Sequence, residues 1–286
     1  MELKNCRVPA LLLLPVALAA CGGGGPANDV ADELSQAMTC TVRNCTESTA
    51  LRTDEISMRF TATQNAGESS LKVSGFVSKS ANLTTTVLLA PNESLSASVD
   101  GGTETPLRNI DGQRLDYEVS LPASSAKPEV WLIFKRDGVR HISGVVMPPA
   151  FTITQPVGTP TLARSAGTLI VTLAPTPSQG SVGASIQGRC SRKDGSSFDV
   201  KRRPLRVRGA GTGSFAVDTL PLDQDLNLAS QGENNNLPGT SLVSRCDLTV
   251  TWEASAVGTS PATLNKYSSF TGSRQAAHVI VYDAWL

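Results

Sequence analysis

Apolar residues at every second position, in short runs broken about every ten residues by Gly, Pro, Asn or Asp, dominate this chain. A period of two puts alternate side chains on opposite faces of an extended strand, so such runs build half-buried sheet. Ile56, Met58, Phe60 and Ala62 alternate with polar residues, as do Leu71, Val73 and, past Gly75, Val77. The pattern returns over 84–89, at Leu95, Ala97 and Val99, and at Leu115, Tyr117, Val119 and Leu121. Residues 130–134 are continuously apolar, as a central strand is. The run 139–147 follows across Asp137-Gly138, a two-residue hairpin signal. Further strands are read over 169–173, 184–190, 198–200, 214–217, 248–252 and 279–282. Aromatics make up only 5% of the chain, while Ser, Thr, Gly, Pro and Val are plentiful, which argues against a helical bundle. The expectation is an all-β chain with two antiparallel β-sandwich domains, 48–154 and 155–286. Pro148-Pro149 and Gln155-Pro156 mark the junction.

The N-terminus carries a different signal. Lys4 and Arg7 precede an apolar run from Val8 to Ala20, and Leu18-Ala19-Ala20-Cys21 closes it. A basic start, a short apolar middle and small residues before a cut site make a secretory signal over 1–20. The run falls short of the roughly twenty residues that a spanning helix needs, and Pro9 and Pro15 interrupt it. Ending in cysteine, the stretch resembles the lipobox of bacterial lipoproteins. That resemblance implies that Cys21 is lipidated on sulfur, becomes the new N-terminus and is acylated there. Each buried methylene adds roughly 0.8 kcal/mol and two or more chains anchor stably, so the membrane is held through lipid alone. Gly22 is not acidic, which by the same resemblance favours the outer membrane. The plainer alternative is an ordinary signal cut after Ala19, which would leave Cys21 a free thiol.

Gly22 to Gly25 and Pro26 open a flexible tether, expected over 21–47, with a span of roughly 25 Å. Residues 28–38 read either as a short helix or as disordered chain. Of the six cysteines, Cys6 leaves with the signal and Cys21 is lipidated. The remaining four suit two disulfides in a secreted protein. Cys40–Cys45 and Cys190–Cys246 are favoured among the three pairings because each falls within one expected unit. Cys190 ends one expected strand and Cys246 precedes another, so a bridge between sheets is expected, immunoglobulin-like in outline. The tryptophan that antibody domains bury between their cysteines is missing; Trp252 follows the second cysteine instead.

Candidate sites are few. Arg189, Arg192, Lys193, Lys201, Arg202, Arg203, Arg206 and Arg208 form a basic stretch with only Asp194 and Asp199 among them. Such density suits an anionic glycan or an acidic envelope protein. A solvated edge strand, kept from aggregating by its charges, is the plainer reading. Nucleic acid is not expected, since no aromatics interleave the cations for stacking. Asp223, Asp225 and Asn227 resemble the start of a calcium loop. Leu228 then stands where that loop needs glycine, and Asn234 where it needs glutamate, so a polar surface loop is the better reading. No cofactor is expected, and no zinc site.

Catalytic motifs are thin. His141 and His278 fall in different expected domains, and Ser124 with Lys127 has SxxK spacing without its companion motifs. The chain is therefore expected to be a lipid-anchored binding or structural module of the bacterial envelope and not an enzyme. Alternatives are a periplasmic cell-wall hydrolase and an accessory subunit of a secretion or surface-appendage machine.

Overall fold

A computed structural model describes residues 40, 44–110, 114–178, 182–231 and 242–286. The signal 1–20, Cys21, the stretch 28–38 and the loop residues 233–236 lie outside the described residues.

The first half carries β1 (Cys45–Glu47), β2 (Ile56–Asn65), β3 (Ser70–Lys79), β4 (Asn82–Leu88) and β5 (Ser94–Val99). The short β6 (Thr105–Pro106) and β7 (Arg108–Asn109) follow, then β8 (Asp116–Pro122), β9 (Glu129–Arg136) and β10 (Val139–Val146). The second half carries β11 (Thr152–Gln155), β12 (Thr161–Ala163), β13 (Thr168–Ala174) and β14 (Val182–Arg192). After these come β15 (Ser197–Leu205), β16 (Arg208–Gly211), β17 (Ser214–Asp218), helix α1 (Thr219–Ser230), β18 (Val243–Val257) and β19 (Ser269–Asp283). Every expected strand forms. Asp137 and Gly138 both take positive φ, 51° and 75°, the twist that a two-residue hairpin between β9 and β10 requires.

Three sheets result. An eleven-stranded sheet runs in the order β1-β4-β3-β2-β19-β18-β14-β15, with β7, β8 and β12 joined at its sides. Two four-stranded sheets, β10-β9-β5-β6 and β11-β13-β17-β16, cover one core each. The first core gathers Ile56, Met58, Phe60, Val73, Tyr117, Leu132 and Phe134. The second gathers Val171, Leu173, Ile186, Phe215, Val250, Trp252 and Ile280. Gly75 is fixed by close approach: a Cβ there would stand 2.1 Å from the Arg59 carbonyl oxygen.

Five expectations need correction. The two sandwiches are not separate at 154/155, because one sheet runs through both. β2 and β19 pair in parallel from Ser269↔Arg59 to Gln275↔Asn65, so the arrangement is not purely antiparallel either. β18 and β19, each 15 residues long, are long enough to serve both cores. On the inward face of β19, Phe270 enters the first core, and Ala276, Ile280 and Tyr282 enter the second.

The Cys190–Cys246 disulfide forms, but within one sheet. The two residues are register partners on the adjacent strands β14 and β18, with Cα atoms 4.0 Å apart. Contact between the two sheets of this lobe is made by Trp252 against Phe215 instead.

The tether also ends earlier than residue 47. Cys40–Cys45 is bridged, β1 pairs in parallel with Thr86 to Leu88, and Arg114 holds Glu47 at 2.8 Å.

Finally, Asp223, Asp225 and Asn227 lie on a helix and not in a loop. Thr219, Leu222, Leu226 and Ser230 are buried along one face of α1, and that burial overrides the turn-forming composition.

Candidate functional site

One described cleft lies at the waist, where β19 passes from the first core to the second. Its volume is about 590 Å³. The β2–β3 turn (Asn65 to Ser69) and the chain after β8 (Ala123 to Ala126) form one wall; Phe151, Thr152, Ala174 and Pro175 form the other. Gln64, Arg274 and Gln275 complete it. A neighbouring cleft of about 630 Å³ shares Asn65, Ala66, Thr152 and Gln275 and reaches His278.

Arg274 is placed by period two. On β19 the inward positions run Phe270, Gly272, Arg274, Ala276, so a cation stands where the strand passes from one apolar core to the other. Only 6% of its surface is exposed. Its Nε donates to the Pro148 carbonyl at 3.2 Å and Nη2 to the Ala126 carbonyl at 3.2 Å. Nη1 has no acceptor among the described residues, and no carboxylate there forms an ion pair with this guanidinium. Burial pulls its pKa below the usual arginine range. The contrast is Arg136, also buried, whose Nε sits 3.4 Å from the Glu93 carboxylate.

Gln64 is the register partner of Arg274 across the parallel β2–β19 pair, and it is 2% exposed. Its Nε2 donates to the carbonyls of Glu68 (2.8 Å) and Ala123 (3.2 Å), while its buried Oε1 has no donor among the described residues. Of the two, the Arg274 guanidinium keeps hydrogen-bonding capacity toward the cleft, whereas Gln64 Oε1 is closed off within the protein. At the rim, Glu68 accepts from Asn65 Nδ2 at 3.0 Å.

The expected basic patch does not assemble. Arg192 turns inward, bonding the Ser230 carbonyl at 2.9 Å and lying 4.5 Å from the Phe198 ring. Arg203 donates to the Asp225 carbonyl of α1 at 2.9 Å. Arg208 is paired with Asp218 through two hydrogen bonds of 3.0 and 3.1 Å. Lys193 lies over the Trp285 ring, and Arg202 bonds Ser185 and approaches Glu253 at 3.7 Å. Arg189 bonds the Ser197 hydroxyl. Lys201 and Arg206 are exposed. The dispersal has a backbone cause: a bulge breaks the β14–β15 register between Ile186 and Gly188, and the chain then crosses to another sheet at β16.

The acidic trio is likewise consumed by the fold. Asp223 Oδ1 accepts from Arg164 Nη2 at 2.8 Å and from the Tyr282 hydroxyl. Burial and that carboxylate push the Tyr282 hydroxyl up to about 12. Asn227 donates to the Asp223 carbonyl and accepts from the Val243 amide. His141 bonds Thr263 at 2.8 Å beneath Phe134; burial, then the Arg136 charge, holds it below the ordinary histidine range. Ser124 lines the waist cleft and Lys127 does not.

No family model matches the chain, and no curated protein does. Among solved structures it is similar to a chimeric titin Z1Z2 carrying a KLER peptide from decorin, at 12% identity and TM-score 0.23. That likeness spans 80% of this chain and 98% of the other. It is similar to the Yersinia pseudotuberculosis adhesin InvE at 11% identity and TM-score 0.22, over 80% of this chain and 60% of that one. The BSP domain of a biofilm-associated protein gives 12%, 0.22, and 80% against 30%. Scores of this size fall well short of a shared overall arrangement.

Proposed function

We propose that this chain is a lipid-anchored protein of the bacterial envelope that works as a binding module through the cleft at its waist. One observation carries the binding half of this reading: a cleft walled by both lobes holds a buried guanidinium without a carboxylate partner among the described residues. The anchoring half rests on Leu18-Ala19-Ala20-Cys21 behind a basic and apolar leader. Among the described residues no helix is long and apolar enough to cross a membrane, and a lipid on Cys21 supplies attachment without one. Ser124 lines the cleft and its SxxK neighbour Lys127 does not, which favours this reading over the hydrolase alternative.

The anchor is tested by Cys21→Ala. The expected outcome is loss of labelling by radioactive palmitate and release of the protein from the membrane fraction. Continued membrane retention without labelling would overturn it. Intact-mass measurement of the mature chain gives an independent check, since its first residue should be an acylated Cys21.

A further inference from the structure

We propose that the waist cleft binds a carboxylate, seated against the Nη1 end of Arg274, the nitrogen that has no acceptor among the described residues. This rests on reading the chain as a binding module and names the chemistry of what is bound.

Three features converge. The Nε side of the guanidinium is spent on the carbonyls of Pro148 and Ala126, which fixes the plane of the group. What remains is the Nη1 end, a charged donor that a carboxylate oxygen meets in a strong hydrogen bond. Gln64, next to it in register on the same face of the sheet, is spent on the carbonyls of Glu68 and Ala123 and brings no carboxylate to compete for the guanidinium.

Charge favours a single negative group. Arg274 contributes one positive charge to the cleft and Glu68 lines the same wall with one negative. A monoanion balances the guanidinium, whereas a phosphate dianion adds a second charge that meets Glu68. The walls agree with a polar ligand. Ser124, Ser125, Thr152 and Asn65 offer hydroxyl and amide groups, and they are exposed. Two sources of such a carboxylate share this chemistry: an acidic sugar and a peptide C-terminus.

The test is titration calorimetry on the mature full chain with glucuronate and with N-acetyl-alanyl-alanine. Glucose, the amidated dipeptide and inorganic phosphate serve as controls. At least one carboxylate should bind, its neutral counterpart should not, and the one that binds identifies the source. Arg274→Gln should weaken that binding by about tenfold or more, as loss of a charge-assisted pair does. Ser125→Asp, at an exposed position in the cleft wall, should weaken it comparably through repulsion. It decides the matter if Arg274→Gln does not fold. Absence of binding by both carboxylates, phosphate binding as tightly as they do, or unchanged affinity in a folded Arg274→Gln or in Ser125→Asp would each overturn the assignment. None of these outcomes bears on Cys21, whose failure would show in membrane release while carboxylate affinity stayed as it was.

Discussion

Phe215 and Trp252 meet from facing sheets of the second lobe, their ring centroids 5.6 Å apart and tilted by 47°. Trp252 is completely buried at the centre of that core. Trp252→Ala should therefore cost about 3–5 kcal/mol, the usual range for deleting a buried aromatic side chain. Urea denaturation of the variant checks this. A loss under about 1 kcal/mol would mean that the core collapses around the gap or that the contact is not made.

Gly75 should tolerate no side chain. A Cβ would lie 2.1 Å from the Arg59 carbonyl oxygen and 2.7 Å from the Phe60 Cα, both backbone atoms of the paired strand β2. Gly75→Ala must push β2 and β3 apart, and a loss of about 3 kcal/mol is expected, at the upper end for overpacking. Thermal unfolding followed by circular dichroism would reveal it, with Gly67→Ala as a comparison for strain without a clash. Gly67 has φ +82° and nothing within 4 Å of its Cβ position.

Acid should weaken the fold in a window set by its histidines. Burial holds His278 below the ordinary value of 6.5, and burial plus the Arg136 charge does the same for His141. The folded chain then binds fewer protons than the unfolded one at mildly acidic pH. Stability is full above 6.5 and falls as pH drops through it toward the folded values. Denaturation midpoints should stay level from about pH 8 to about pH 7 and decline below. His278→Gln should shallow the decline; an unchanged slope would show that this ring does not titrate differently in the two states.

Reduction should act unequally on the two disulfides. Cys190–Cys246 closes a separation of 56 residues and Cys40–Cys45 one of 5. Loop entropy assigns roughly 4 kcal/mol to the first and roughly 2 to the second. Cys190→Ala/Cys246→Ala should lower the denaturation midpoint more than Cys40→Ala/Cys45→Ala does. The reverse order would show that native interactions, and not the freedom of the unfolded chain, govern both.

The strands were legible because burial on one face writes a period of two directly into the residues; Ile56, Met58, Phe60 and Ala62 all point into the first core. The parallel pairing of β2 with β19 left no such trace, since partners about 210 residues apart carry no local mark of each other. Helix α1 was hidden because Leu222 and Leu226 are buried while Leu220 and Leu228 are exposed, which blurs the helical stripe. The basic stretch misled for a related reason: spacing along an extended strand assumes an unbroken register, and the bulge opposite Gln187 removed it. Arg274 did leave a signal. A cation in the inward register between Phe270 and Ile280 is an irregularity in an otherwise apolar face, and it marks the waist.

The reach of β19 into both cores governs when the fold can close. Any process that delivers this chain N-terminus first, whether synthesis or transport, presents residues 56–147 long before Phe270 arrives to finish their core. Until then β2 has an open edge, and the early lobe is incomplete however strongly its hairpins form. Completion of that first core thus waits on a strand about 210 residues beyond its partner β2.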